Sequence, residues 1–525
     1  MSTRNKHCEK CVVVCVICKK LGECFMVGTQ PVNRKKAFNM LFFLEFWERF
    51  GFYGLQAVLA GFFVKSLGME DAESFVVFGA FSAMVYGYVS IGGFLGDKVL
   101  GTQRTITLGA AVLMIGYFMM GMAGTNKDMV FLALGAIACG NGIFKANPSS
   151  LLSKLYEGAE EELDSAFTMY YMAVNIGSFV SMLLVPIIGA QYGLDLGFMI
   201  CAMGLVLAIG GFVSFRHLVR GIDSPAGAEK LSMPKLLATI AGVVAMTFIS
   251  SWLLSHLSVA HWLLLIIGIL VYGVFIKMIF QSSGATRSHM IAAMILIVEA
   301  IVFFTLYNQM PTSLNFFAIK NVEHSIMGIN IPDAQVFQTL NPFWIMLASP
   351  VLAYFYSRFG SQGKDLSMPA KFALGMLLTA GSFLVVGFSA NFASEAGIVS
   401  AWWLVGSYFL SSIGELLISG LGLSMISKLV PQKLIGFLMG AWFLTTAISS
   451  IIGGWVASLT AVPKDVTDPV LTLGVYSDVF TQIGMVTLGV TLVMALTVPL
   501  LNRLINKQDD AEAEVEAEAG AVLEK

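Results

Sequence analysis

The sequence predicts an all-α polytopic membrane protein, and three observations carry that reading. Of its 525 residues, 57% are hydrophobic and only 12% are charged, against about a quarter charged in a soluble domain. About fourteen apolar stretches reach the length needed to span a bilayer as helices. Lysines and arginines gather in alternate connections between them, as short cytoplasmic loops do. The formal net charge of −2 leaves no basic face to track phosphates, so a nucleic-acid partner is not expected.

In chain order the expected spans are 39–65, 74–96, 104–124, 129–147, 166–190, 195–215, 234–254, 262–280, 290–319, 341–358, 370–390, 398–427, 435–460 and 476–502. One side of the membrane collects Arg34, Lys35, Lys36, Lys98, Arg104, Lys154, Arg216, Arg220, Lys277, Arg287, Arg358, Lys371 and Arg503. The other side holds little beyond Lys65, Lys127, Lys320 and Lys464. Both termini are therefore expected in the cytoplasm. Six spans precede the polar segment Gly221–Lys235 and six resume at Met290, which suggests two six-helix bundles, 37–220 and 289–504, with a linker and inserted two-helix hairpin at 221–288. Such halves suit alternating access, with the substrate at their interface. Residues 1–36 read as a disordered extension, with Met26 as an alternative start, and 505–525 as an acidic disordered tail. Five of the seven cysteines crowd into the first 24 residues, at spacings too short for a typical zinc module. Cys139 and Cys201 read as small buried hydrophobes.

Ionisable residues inside the apolar runs point to function. Glu45, Glu48 and Arg49 share one helical face, roughly 8–15 Å inside the first span. A lipid-facing charge there is costly, so such groups turn toward a partner or a water-filled path. Lys145, among glycines and asparagines late in the fourth span, reads as a cavity-facing amine able to bind a carboxylate or pair with Glu48. Asn175 in the fifth span suits either a cavity or an interhelical hydrogen bond. Glu299 reads as a second protonatable site or a packed neutral acid. Tyr307, Asn308 and Gln309 follow it, and Asn341 opens the next span. Glu415 is deep in another apolar run, four residues before Ser419, where a carboxyl can exchange a proton unless a cation approaches. Cations on the first half and an anion on the second suit a zwitterion lying across the interface. In the loop Gly92–Arg104, Asp97 and Arg104 are placed to form a switchable cytoplasmic charge contact.

That loop resembles the signature of the major facilitator superfamily. The run Glu45-x-x-Glu48-Arg49-Phe50-x-x-Tyr53 resembles that of the proton-dependent oligopeptide transporter family within it. The likeness continues through Phe144–Pro148, Phe167–Asn175, Gly414-Glu415-Leu416 and Gly440–Leu444, covering about Lys35 to Arg503, and is greatest to the bacterial dipeptide and tripeptide permeases. It implies a major facilitator fold of fourteen membrane helices and proton-coupled import of di- and tripeptides across the inner membrane, with the proton as coupling ion and no cofactor or metal; the protein is expected to work as a monomer. By the resemblance, Glu45, Glu48, Arg49, Lys145 and Glu415 serve proton coupling. Arg49 and Lys145 face the peptide carboxylate, Asn175, Asn341 and Glu415 hold its amine, and Ser419 partners Glu415. Tyr53 and Trp442 line side-chain pockets, and Gln56 and Asn308 complete the binding set. Gln56 stands where many relatives have arginine, Phe52 where a second tyrosine is usual, and Tyr307 where some carry an acid. A membrane enzyme is disfavoured, because no His/Cys/carboxylate cluster or nucleophile arrangement falls within the spans; a peptide sensor would need a signalling module.

Overall fold

The computed structural model describes residues 33–507, apart from 361, 363, 364 and 430–433. The N-terminal cysteines and the acidic tail beyond 507 lie outside the described residues. Asn33 caps the first helix, its side chain accepting from the Lys36 amide at 3.1 Å, so that helix begins inside the stretch 1–36 read as disordered. The long helices are α1 Arg34–Lys65, α2 Asp71–Gly87, α3 Thr102–Met122, α4 Lys127–Lys145, α5 Glu160–Tyr192, α6 Leu194–Phe215, α7 Met233–Ser255 and α8 Leu257–Gln281. They continue with α9 Gly284–Tyr307, α10 Leu340–Gly360, α11 Met368–Ser389, α12 Ala401–Leu429, α13 Ile435–Ser458 and α14 Pro469–Ile505.

Thirteen helical segments among the described residues are long and apolar enough to cross a membrane. Helix α1 is not among them, because Glu45, Glu48 and Arg49 interrupt its apolar run. The expected span 290–319 is divided: α9 ends at Tyr307 and a separate short helix runs Ser313–Asn321. Pro311 lies in the break, where it offers no amide donor, and the Asn308 and Gln309 side chains cap the carbonyls of Phe304 and Thr305.

Helix α1 packs between α5 and α6, and α3 against α4 and α6; later in the chain α11 packs against α12 and α14, and α9 against α13. Segments 37–220 and 289–504 meet chiefly along α2 and α13. Hydrophobic burial does little to join helices in lipid, so small residues that let backbones approach matter more. A Cβ on Gly79 would lie 2.5 Å from the Ser450 carbonyl, and one on Gly454 2.6 Å from that of Phe75. Helices α7 and α8 bridge the segments: Tyr88 and Ser250 hydroxyls lie 2.8 Å apart on the α7 side, Tyr272 and Thr445 hydroxyls 2.8 Å apart on the α8 side.

The polar contacts that join 37–220 with 289–504 among the described residues cluster at one end of the bundle, where α1 finishes and α2 begins. Asn315 and Gln338 donate to the Ala57 carbonyl at 3.3 and 2.8 Å. Lys320 pairs with Asp71 at 2.5 Å, and Lys464 with Glu70 at 3.4 Å. Toward the other end, mid-chain residues Thr168, Met169 and Tyr171 of α5 are exposed, Tyr171 at 41%. Among the described residues the bundle is thus fastened by polar contacts at one end.

Candidate functional site

Helix α1 carries its three ionisable groups to one buried point. The Arg49 guanidinium lies 2.5 Å from Glu48 Oε2 and 3.3 Å from Glu45 Oε1. All three residues are buried, Glu48 completely. Burying charges costs several kcal/mol per ion unless partners and further hydrogen bonds compensate. Here Asn141 of α4 donates to Glu48 Oε1 at 2.9 Å, and the Tyr170 hydroxyl of α5 donates to Glu45 Oε2. Each carboxylate thus has one oxygen turned to Arg49 and the other to a donor from a neighbouring helix. Phe52 lies against the guanidinium, 5.4 Å from ring centroid to Cζ.

Lys145, at the end of α4, shares the electrostatic field of Glu45, Glu48 and Arg49. It does not pair with Glu48, which Arg49 and Asn141 already occupy. Its ammonium instead sits 4.0 Å from the centroid of the Tyr86 ring on α2. A cation over a ring face gains electrostatically without neutralising its charge, so the amine keeps its capacity for an anion. Tyr86 carries no sequence signal beyond being an aromatic in an apolar run.

Across the interface, Glu415 of α12 accepts from Asn341 Nδ2 of α10 at 2.8 Å, and the same nitrogen lies 3.1 Å from the Ser412 hydroxyl. Ser419 does not partner the carboxylate. Its hydroxyl bonds the Glu415 backbone carbonyl at 2.9 Å, the back-bond that serine makes readily inside a helix. The phenols of Tyr53, Tyr86, Tyr171 and Tyr307 all lie near enough to Glu415 to feel its charge. Tyr53 is also within the field of Arg49. Tyr53 and Tyr86 are therefore within range of both Arg49 and Glu415.

The other expected residues fall around these groups unevenly. Asn175 is buried, with its amide nitrogen 2.9 Å from the Tyr171 carbonyl on its own helix, so it forms no interhelical bond through that nitrogen. Asn308 likewise bonds the Phe304 carbonyl at 2.7 Å. Gln56 has its Oε1 buried without a hydrogen-bond partner. Trp442 packs edge-on to Phe304, with centroids 5.8 Å apart. Glu299 is buried, and its Oε2 also lacks a partner. Cys139 and Cys201 are buried free thiols.

The loop contact between Asp97 and Arg104 is not formed. Asp97 lies 3.6 Å from Lys154, while Arg104 donates to the Leu100 and Glu229 carbonyls at 3.1 and 2.9 Å. The reason is the linker after α6, which docks on this loop: Asp223 accepts from the Thr102 amide at 2.6 Å and Ser224 donates to the Gly96 carbonyl at 2.6 Å. Gly101, at φ +98°, supplies the left-handed turn that admits the linker. Asn141, Tyr170 and Tyr86 had no assigned role in the sequence reading. A polar side chain within an apolar span was the signal available for Asn141.

The family model PTR2, described as the POT family, matches residues 103–477. Dipeptide and tripeptide permease B of Aliivibrio fischeri is 52% identical over 475 residues, covering 90% of this chain and 96% of that protein. Dipeptide and tripeptide permease A of Escherichia coli K12 is 52% identical over 485 residues, covering 92% and 96%. Among solved structures, tetrameric PepTSo2 superposes with a TM-score of 0.81 at 38% identity, covering 90% of this chain and 100% of that one. A bacterial homologue of the human drug peptide transporters PepT1 and PepT2 superposes with a TM-score of 0.79 at 36% identity, over 90% and 100%.

Proposed function

The chain belongs to the POT family, and from that premise we propose how it works as a proton-coupled symporter importing di- and tripeptides across the bacterial inner membrane. The fold is of the major facilitator type, the protein is a transporter and not an enzyme, and the proton is its coupling ion. The observation that carries the mechanism is the buried set Glu45, Glu48 and Arg49, with half-buried Lys145 beside it, within range of the same tyrosines as the Glu415–Asn341 pair.

The charges suggest the coupling. Two carboxylates and two cations on the first side balance when all are ionised. Adding one proton to Glu45 or Glu48 leaves a surplus positive charge, and an unbalanced buried charge is costly. A peptide carboxylate drawn to Arg49 and Lys145 restores the balance. The peptide ammonium is then met by Glu415, which Asn341 orients. Proton and cargo thus favour one another's binding, and each is released more readily when the other leaves. Tyr53 and Trp442 line side-chain space, with Gln56, Asn175 and Asn308 as further polar contacts and Ser419 a helix-bonded neighbour of Glu415.

We read 37–220 and 289–504 as the two six-helix halves, with α1 counted as a fourteenth span, and 221–288 as linker and hairpin. Both termini are assigned to the cytoplasm. Lys127, Lys320 and Lys464, on the side poor in cations, are each paired with an acid, Glu73, Asp71 and Glu70. The fastened end is then periplasmic and the conformer inward-facing. Transport is assigned to the monomer. The gating assignment of Asp97 and Arg104 becomes one of loop and linker: Asp97 through Lys154, Arg104 through the Glu229 carbonyl. Uptake of a labelled dipeptide into vesicles tests the whole reading; accumulation without an imposed proton gradient, or competition by free amino acids equal to that by dipeptides, would overturn it.

A further inference from the structure

The turn Arg216–Val219 after α6 borders two cavities that the transport path does not use. One, of about 460 Å³, is lined by Arg216, His217, Arg220, Gln103, Asp223 and Gly227 among others. The second, of about 530 Å³, runs along α6 and α1 beside Leu207, Gly211, Phe43, Phe215 and Leu218, with Lys36 on its rim. Phe215 and Leu218 of the apolar groove flank Arg216 and His217 of the charged one along the chain. The two therefore open on a single turn, at the point where a membrane span gives way to the surface.

The charged cavity has unused donors. Arg216 engages Gln103 Oε1 through Nε at 2.8 Å, which leaves its two terminal nitrogens. His217 donates through Nδ1 to the Ser214 carbonyl at 3.3 Å, so its Nε2 donates only when the ring carries a second proton. Arg220 has no side-chain hydrogen bond or ion pair among the described residues, and all three side chains are exposed. Asp223, the acid on this wall, accepts from the backbone amides of Thr102 and Ser224 at 2.6 and 2.7 Å. Two guanidinium groups against one amide-bonded carboxylate leave the cavity positive. Guanidinium forks match phosphate oxygens bidentately. Nothing in peptide transport calls for an anion site at this surface.

We infer that this junction binds an anionic phospholipid, its phosphate held by Arg216 and Arg220 beside His217 and one acyl chain lying in the groove along Leu207, Gly211 and Phe43. The pairing of an apolar groove with a cationic head site favours a lipid over free phosphate, which needs no groove. Gln103 and Asp223, on the wall of the head site, also hold the linker to the Gly96–Arg104 loop, so a bound lipid braces that attachment.

The test uses the full-length protein in detergent, titrated with phosphatidylglycerol and followed by native mass spectrometry, with phosphatidylcholine as control. Each basic residue near a membrane surface contributes about 1 kcal/mol toward anionic lipid, so Arg216→Gln with Arg220→Gln together should weaken phosphatidylglycerol roughly twentyfold or more. Leu207→Trp, which fills the groove from its exposed side, should weaken the lipid and leave inorganic phosphate binding unchanged. Unaltered phosphatidylglycerol affinity in the double variant overturns the site. Phosphatidylcholine binding equal to phosphatidylglycerol also overturns it, as does Leu207→Trp without effect while inorganic phosphate displaces the lipid. Peptide uptake by the same preparations reports folding and tests the transport reading separately.

Discussion

Asn341 Nδ2 lies 2.8 Å from Glu415 Oε2, tying α10 to α12 across 74 residues of sequence. No cation accompanies this carboxylate among the described contacts, in contrast to Glu48, whose Oε2 is 2.5 Å from Arg49. The two sides of the proposed site are therefore electrostatically opposite: one complete in itself, the other waiting for a positive partner.

From this contrast, Glu415→Ala should weaken peptides with a free amine more than their N-acetylated forms, by about 1.5–3 kcal/mol for a charged hydrogen bond. Asn341→Ala should do the same to a smaller degree. Competition binding with paired peptides measures both; equal loss for free and acetylated peptides removes Glu415 from the amine site.

Glu48→Gln should abolish proton-driven accumulation while leaving counterflow exchange measurable. The amide still accepts from Asn141 but no longer exchanges a proton. It also leaves Arg49 with Glu45 alone, and breaking a buried pair costs about 3–5 kcal/mol, so the variant should melt earlier. Normal accumulation in vesicles would contradict the assignment.

Lys320→Ala should loosen the fastened end. The lysine's charged hydrogen bond to Asp71 is worth about 2 kcal/mol, roughly thirtyfold in the balance between conformers. A cysteine placed at Gln335, which is buried against Gly61 of α1, should then react faster with an impermeant maleimide added from the periplasmic side. Unchanged labelling would mean that the ion pair does not hold the end closed.

Gly454→Leu should prevent the same closure by steric means. Its Cβ would stand 2.6 Å from the Phe75 carbonyl, a backbone atom that cannot turn aside. The variant should insert and purify but lose uptake, with increased outside labelling. Wild-type uptake would show that α2 and α13 separate at this point without cost.

Lys145→Gln should raise the KM for peptides while leaving the Glu45–Arg49–Glu48 set intact, because Lys145 rests on Tyr86 at 4.0 Å and not on an acid. Tyr86→Ala should reproduce part of the effect, about 1–2 kcal/mol of cation–π contact. Uptake kinetics across peptide concentrations separate this from a loss of kcat.

Local properties of the chain were enough for the helices and for the first cluster. Apolar run length and the distribution of lysine and arginine depend only on neighbours in sequence, and so does the shared face of Glu45, Glu48 and Arg49, three and four residues apart. Even the break in 290–319 has a local cause in Pro311, though one outweighed by the surrounding hydrophobicity when only the sequence is read. Partner choice was not local. Asn141 meets Glu48 from 93 residues away, Tyr170 meets Glu45 from another helix, and Asn341 takes the place at Glu415 that the family resemblance gives to Ser419. Arg104 turned from Asp97 to a linker carbonyl because a segment more than a hundred residues later docks on its loop. Which polar groups answer one another in a membrane bundle follows from how the helices cross and how closely their glycines let them approach, and that geometry exists only once all of them are assembled.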